Sequence, residues 1–389
     1  MSFFDALIVG AGFAGAVTAR RLADAGKRVL VLEKRDHIGG SAYDRRDEAG
    51  VLIHQYGPHI FHTNDRDVFE FLSGFTSWRD YSHKVVASIP GEQGYRLEFP
   101  VPFNICSLEI AFGAQSGQRL AHVLQEIYGP NGRISVMQLR ESNKPELVQL
   151  ANYIYEKVFL GYTLKQWGGT PEQINPDTLA RVPVVLSRDC RYFQDIYQGI
   201  PAGGYTRLFE ALLDHPGIRL QLNADALTLL KLSSKGILLE DRNFDGPVIY
   251  SGAADELFGC VYGRLPYRTL DFQFETYAQD FFQSCGTINY TVDKEYTRIT
   301  EFKYLTGQSL SGQTTIVREY PRAYCGEAGD TPYYPVICEK SKSLYRQYAD
   351  LASHFSNLFL LGRLAEYRYY NMDAVVAGAL SLARRLLTT

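Results

Sequence analysis

Hydrophobic positions along the chain change period several times, and the changes divide it into blocks. The first block opens on an unbroken apolar run, Leu7-Ile8-Val9, passes through a Gly-rich turn into an apolar-rich segment, and returns to a second run from Arg28 to Leu32. Short continuous apolar runs of this kind predict strands buried on both faces, with a helix crossing between them. From Val85 to Phe103 the text alternates and carries Pro90, Pro100 and Pro102, which predicts a strand or hairpin leaving the first block. The period then becomes helical. Leu120, Val123, Leu124 and Ile127 share one face of a helix over Arg119 to Tyr128, and Pro145 opens a longer one with Leu147, Leu150, Ile154 and Val158.

Beyond Gly204, short strands are predicted at Arg219 to Leu222, Gly236 to Glu240 and Val248 to Tyr250, where Ser251-Gly252-Ala253 marks a return to the first sheet. Arg268 to Tyr320 is rich in Thr, Tyr, Phe and Ile and reads as antiparallel sheet. A last apolar strand, Leu358 to Leu361, ends at Gly362-Arg363 and precedes a helix from about Met372 to Leu387. The fold class expected is α/β with α+β insertions. A Rossmann-like FAD-binding domain is assembled from 1–84, 204–262 and 336–389; a helical domain covers 104–190, with a mobile lid loop near 168–181; an antiparallel sheet substrate domain combines 85–103, 191–203 and 263–335.

Composition narrows the class. With 389 residues, 46% hydrophobic, 21% charged and a net charge of −3, a large core is possible and a polyanion-binding surface is not indicated. No basic tract is longer than Arg384-Arg385, which argues against nucleic acid. No apolar run approaches the ~18 residues of a spanning helix, and Met1-Ser2-Phe3-Phe4-Asp5 carries no basic leader, so a cytoplasmic location is expected. The six cysteines (Cys106, Cys190, Cys260, Cys285, Cys325, Cys338) are scattered without C-x-x-C or companion His spacing, so no metal site and no disulfide framework are expected.

The chemistry begins at Gly10-Ala11-Gly12-Phe13-Ala14-Gly15. Gly10 permits the turn, Gly12 lets backbone approach a pyrophosphate at the helix N-terminus, and Gly15 lets helix and strand pack closely. Glu33, about 20 residues on, is placed to accept from ribose hydroxyls, with Lys34 beside it. The spacing alone leaves NAD and FAD open. A second glycine pair, Gly39-Gly40, gives room for a cofactor lying extended across the sheet and favours FAD. A helix starting near Met372-Asp373 would point partial positive charge at a reduced, anionic flavin; a plain docking helix is the alternative.

A second constellation lies outside this block. Tyr162 and Trp167 end a helix before Gly168-Gly169, followed by Arg181 and then Tyr192-Phe193; aromatic side chains can hold a flat base while arginine answers phosphate. Tyr296, Arg298 and Thr300 share one face of a predicted strand, so Arg298 could meet Arg181 across a cleft. Tyr320, Arg363, Tyr367, Tyr369 and Asn371 add donors, and His59 and His62 lie close together. Each has a structural alternative: Tyr162 and Trp167 as core, Arg181 as a solvated loop charge, either histidine as a satisfied core group, and most of the 27 tyrosines as packing. No Ser-His-Asp or paired-carboxylate arrangement competes for the chemistry.

Taken together and in order, Val9 to Gly15, Arg35-Asp-His-Ile-Gly-Gly40, Tyr56-Gly-Pro-His-Ile-Phe-His-Thr63, Gly161-Tyr-Thr-Leu-Lys-Gln-Trp-Gly168, Tyr262 to Asp271, Tyr296-Thr-Arg-Ile-Thr300, Gly362-Arg363 and Tyr367-Arg-Tyr369 resemble the bacterial UDP-galactopyranose mutase family over nearly the whole chain. The segment from about Phe112 to Asn143 is the least similar. The resemblance implies an isomerase of cell-wall or polysaccharide biosynthesis that interconverts UDP-galactopyranose and UDP-galactofuranose without net redox. It implies FAD active as reduced FADH−, whose N5 forms an adduct with the sugar, kept reduced by an external or NAD(P)H-derived reductant; a homo-oligomer is compatible with it. By the same resemblance Arg181 and Arg298 bind the diphosphate, with Tyr192, Tyr320 and Tyr369. Tyr162, Trp167, Phe193 and Asn289 lie at the nucleotide end, His59 and His62 lie by flavin and sugar, and Arg363 lies against the flavin. Asn371 stands where many members carry aspartate, which leaves UDP-N-acetylgalactosamine or UDP-arabinopyranose open as the sugar. The competing classes are a flavin amine oxidase or dehydrogenase, which would transfer hydride and need no pair of arginines, and a Rossmann-scaffold binding protein that keeps no flavin.

Overall fold

A computed structural model describes residues 4–168, 183–234, 236–327 and 329–388. Its organising layer is a five-stranded parallel sheet in the order Ile218–Gln221, Val29–Leu32, Ala6–Val9, Val248–Tyr250, Leu358–Leu360. The two central strands from the first block are buried at every residue, as their unbroken apolar text requires. Ile8, Val31 and Ile249 turn one way and meet Ala16 and Val17 of helix Phe13–Asp24 and Val376 and Ala379 of helix Met372–Thr388. Leu7, Leu30, Leu32 and Val248 turn the other way, against Ile237, Phe244 and Ala352.

The helical block forms its own core around Leu108, Leu124, Leu139, Leu147 and Ile154. One expectation changes here. The long helix opened by Pro145 keeps α-geometry only to Ile154, continues as a π-turn over Tyr155–Leu160 and resumes at Gly161–Trp167. Such a π insertion shifts the register of the side chains that follow, a device common near functional sites.

The third block is a seven-stranded sheet in the order Tyr334–Pro335, Tyr267–Tyr277, Thr314–Ala323, Arg298–Glu301, Thr287–Tyr290, Val85–Pro90, Arg96–Val101. It is antiparallel except where Thr287–Tyr290 runs parallel to Val85–Pro90, the join between the early hairpin and the later strands. Segment 191–203, expected in this sheet, belongs elsewhere. Tyr197–Pro201 pairs with Phe61–Thr63 and Trp78–Asp80 in a separate three-stranded sheet, and Ile200 packs into the core of the first domain. A five-residue strand carries too little text to announce its partners.

Candidate functional site

A cleft of about 560 Å³ opens at the carboxyl edge of the parallel sheet, lined by Gly10, Gly12, Phe13, Glu33, Lys34, Gly39, Gly40, His59, Arg363 and Met372. Ten of the eleven expected cofactor residues therefore share one surface; the eleventh, Gly15, lies beneath it. A Cβ on Gly15 would stand 1.8 Å from the Gly10 carbonyl, so that glycine serves packing. Gly10 has φ +99°, and a Cβ there would strike the Ser251 hydroxyl at 2.2 Å. Gly12 differs: its nearest neighbour would be Gly40 Cα at an ordinary 3.6 Å, so the protein itself does not demand glycine at this cleft wall. A close ligand would, and a dinucleotide pyrophosphate beside Gly12, at the start of helix Phe13–Asp24, fits that requirement. Buried Glu33 accepts from the Ala11 amide at 2.8 Å and the Arg35 amide at 2.9 Å, which fixes the carboxylate and leaves lone pairs for ribose.

The other end of the cleft is set by the loop after Tyr56. His59 Nδ1 lies 2.8 Å from the Gly57 carbonyl, so the ring proton is assigned to Nδ1 and Nε2 is left as an acceptor. Burial, then neighbouring His54, pushes the His59 pKa down to about 3, with Arg363 and Arg298 acting the same way; the ring is neutral. His54, which sequence reasoning missed, accepts the His59 amide on Nδ1 at 3.0 Å and is itself held near pKa 4 by burial. Arg363 donates to the Tyr370 carbonyl at 2.9 and 3.2 Å and lies 5.2 Å over the Tyr369 ring. Helix Met372–Thr388 starts at the cleft as expected, with Met372 and Val375 in its wall. Asp373 accepts from Thr63 at 3.1 Å.

Adjacent to His59, the seven-stranded sheet presents a cross-strand row of Phe272, Glu319, Arg298 and Asn289. Glu319, 1% exposed, accepts from Arg298 Nε at 2.6 Å. Burial opposes the Arg298 charge, but Glu319 outweighs it and holds the guanidinium firmly charged. Burial raises the hydroxyl pKa values of Tyr162, Tyr192 and Tyr334, the last to about 12, while Arg298 pulls each downward. At neutral pH all three are hydrogen-bond donors around one cation. Trp167 stands 6.0 Å from both Tyr334 and Tyr369. Asn289 Oδ1 is buried without a hydrogen-bond partner among the described residues.

Helix Gly161–Trp167 is held onto this sheet by two devices. Gly161 comes so close to the Thr291 carbonyl that a Cβ would stand 2.1 Å from it. Lys165 Nζ donates to the Tyr290 carbonyl and to those of Lys294 and Tyr296 at 2.9 and 3.2 Å, while Arg268 takes up the Lys165 and Gln166 carbonyls at 3.0 and 2.9 Å. His62 Nδ1 bonds Asp195 at 2.7 Å and its ring stacks on Phe193, centroids 3.6 Å apart. The Tyr192 amide donates to the His83 carbonyl at 2.7 Å.

Tyr320 does not join the cluster: Glu319 takes the inward position, and strand alternation sends Tyr320 to the other face, where its hydroxyl donates to Gln273 at 3.1 Å. Tyr334, absent from the sequence-derived set, fills the place beside Arg298. Its signal was Tyr333-Tyr334-Pro335, indistinguishable among so many tyrosines. Asn371 is exposed at the head of the last helix, its carbonyl accepting from Val375 at 3.2 Å. Arg181 and the lid loop beyond Gly168 lie outside the described residues. Among the described residues no cluster of His, Cys, Asp or Glu could hold a metal, and no helix is long and apolar enough to cross a membrane.

Comparison with known proteins gives a consistent picture. A family model described as UDP-galactopyranose mutase matches residues 157–369, and one described as NAD(P)-binding Rossmann-like domain matches residues 8–75. The chain is 37% identical to the UDP-galactopyranose mutase of Mycoplasma pneumoniae, covering 99% of this chain and 96% of that one. It is 33% identical to the dTDP-fucopyranose mutase of Escherichia coli, covering 97% of each. A solved structure of reduced UDP-galactopyranose mutase shares the fold, with a TM-score of 0.71 over 100% of this chain and 94% of that one at 16% identity.

Proposed function

The chain belongs to the UDP-galactopyranose mutase family, and from that premise we propose that it interconverts UDP-galactopyranose and UDP-galactofuranose by a ring contraction that leaves no net redox change and depends on reduced FAD. The observation that carries this reading is the placement of Arg298. Its guanidinium, 23% exposed and fixed by Glu319, lies between Tyr162 of helix Gly161–Trp167 and Tyr334 of the sheet and also acts on His59, whose other cationic neighbour is Arg363 of the dinucleotide cleft. A dianionic leaving group and a flavin would thus meet at one place. When bound, the reduced flavin supplies the nucleophile that exchanges with UDP at the anomeric carbon.

The remaining work is done by this chain's side chains. Arg298, with Arg181 proposed as its partner from sequence, holds the diphosphate and answers the charge that develops as UDP departs. Tyr162, Tyr192 and Tyr334 keep their protons and donate to phosphate oxygens; Tyr369 and Trp167 close the nucleotide end. Asn289 offers its unpartnered oxygen to a hydroxyl or N–H of the nucleotide. His59 stays neutral and presents Nε2, adding no cation beside an anionic flavin. Orientation and fixed charge, rather than a general-base pair, are what the site supplies. A cytoplasmic location and an external or NAD(P)H-derived reductant belong to the same proposal.

A second reading keeps the chemistry and changes the sugar. Asn371 departs from the family's usual aspartate, and one relative acts on dTDP-fucopyranose. The amine-oxidase alternative is disfavoured by Arg298, since a guanidinium repels a cationic amine. Reductant stoichiometry tests the reading: one reduction should support many turnovers, whereas NAD(P)H consumed mole for mole with product would identify an oxidoreductase.

A further inference from the structure

Two cysteines outside the proposed active site are brought together by the fold although they are 84 positions apart in sequence. Cys106 sits in the first turn of helix Ile105–Phe112, and Cys190 ends the segment that leads into Tyr192. Both thiols donate to one acceptor, the Arg188 carbonyl, at 3.9 Å from Cys106 and 3.6 Å from Cys190. Asn104 ties the same corner together. Its side-chain nitrogen donates to the Asp189 carbonyl at 3.0 Å and contacts Cys190 Sγ at 3.5 Å, while its Oδ1 caps the helix at Ser107. Burial and the neighbouring Cys190 thiol raise the Cys106 pKa. Neither cysteine is fully buried, so a small oxidant can reach the pair. The proposed chemistry uses neither.

We propose that Cys106 and Cys190 form a thiol pair that a low-molecular-weight disulfide converts into an intramolecular disulfide, stapling the segment before Tyr192 to the helical domain. The balance is that of two exchange steps. Cys190 attacks the reagent, giving a protein mixed disulfide and releasing one small thiol. Cys106 then attacks Cys190 Sγ and releases the second small thiol, which takes up its proton. Two protein thiols are oxidised by two electrons and one reagent disulfide is reduced to two thiols. Cys106, with its raised pKa, is suited to the second, intramolecular step, where proximity compensates for low thiolate content. Segment 183–190 is already stitched to the helical domain through Val184 and Val185 paired with Ile134 and Arg133, and the Ile105 amide donates to the Ser187 carbonyl at 3.2 Å, so the two cysteines ride on neighbouring backbone. The cross-link would hold the Tyr192 segment in place while the chain elsewhere opens.

The test treats the FAD-loaded protein with glutathione disulfide at neutral pH, then reads intact mass and tryptic peptides without reduction. The expected product has lost two hydrogens and yields one linked peptide pair containing Cys106 and Cys190. Cys190→Ser should abolish the link, as should Cys106→Ser, which instead accumulates one glutathione on Cys190. Both variants should keep the parental basal turnover, and only the oxidised parent should melt at higher temperature. Exposed Cys325 serves as the reactivity control. Stable glutathione adducts on both cysteines without a link, or modification of Cys325 while Cys106 and Cys190 remain free thiols, would overturn the proposal.

Discussion

Removing Arg298 separates what this residue does for the fold from what it does for the substrate. Arg298→Ala leaves Glu319, 1% exposed, as an uncompensated buried carboxylate. Breaking a buried pair in this way costs about 3–5 kcal/mol; because the arginine itself is 23% exposed, the lower end applies. The same change removes the cation proposed to hold the diphosphate. Losing one partner of a desolvated charge pair costs about 2–5 kcal/mol in binding, on the order of 30-fold to several-thousand-fold in kcat/KM at about 1.36 kcal/mol per decade. The two losses part company in the double variant Arg298→Ala/Glu319→Gln. Neutralising the orphaned carboxylate should recover most of the melting temperature, while kcat/KM and UDP affinity stay at the level of the single variant and flavin remains bound. Thermal melting and steady-state kinetics on the three proteins decide it. If the double variant regains turnover along with stability, Arg298 is a structural partner of Glu319 and the reasoning about the diphosphate is wrong.

Other perturbations reach other parts of the site. Gly12→Ala should fold with near-parental stability yet purify without flavin absorbance, because the added Cβ finds room in the protein and not beside a pyrophosphate; full flavin occupancy would contradict the cleft assignment. Gly161→Ala should push helix Gly161–Trp167 off the Thr291 carbonyl and raise the Kd for UDP severalfold without loss of flavin, and unchanged UDP titration would show that Tyr162 is not placed by that contact. Asn371→Asp puts a carboxylate at a helix N-terminus, so melting should hold or rise, while KM for the nucleotide sugar rises most at low ionic strength; an unchanged KM at low salt means that this residue does not face the substrate. His54, His59 and His83 all have folded pKa values pushed below the ordinary imidazole value of 6.5, to about 4, 3 and 3, mainly by burial. The unfolded chain therefore binds protons that the folded one refuses. Their contribution is complete above pH 6.5 and is lost as pH falls through the folded values, about 4 for His54 and about 3 for His59 and His83, at roughly 1.4 kcal/mol per pH unit for each ring; urea midpoints that stay flat between pH 7 and 5 would refute it.

The dinucleotide half of the molecule was legible because its chemistry is local. Gly10, Gly12 and Glu33 are fixed by a strand, a turn and a helix contiguous in the chain, and the cleft brings them together as the text implies. The arginine half was legible only in part. Period-two alternation puts Arg298 in one row with Asn289 and Glu319, but Tyr296, expected on the same face, precedes the strand and packs against Tyr290 and Tyr320 on the other. Which neighbour faces Arg298 depends on register between strands far apart in sequence, and that register chose Glu319 and Tyr334 over Tyr320. Segment 191–203 was misassigned for the same reason, its partners being 61–63 and 78–80. His54 and Asp195 act through a histidine already singled out, so no pattern of their own revealed them.

The most direct test of the central claim is chromatographic. UDP-galactofuranose is incubated with the FAD-loaded protein, oxidised or reduced by dithionite, and the nucleotide sugars are separated by HPLC. Conversion to UDP-galactopyranose is expected only in the reduced sample, over many turnovers per flavin. Absence of conversion in the reduced sample, with dTDP-fucofuranose or another nucleotide furanose turned over instead, would contradict the assigned substrate; equal conversion by the oxidised protein would contradict the chemistry.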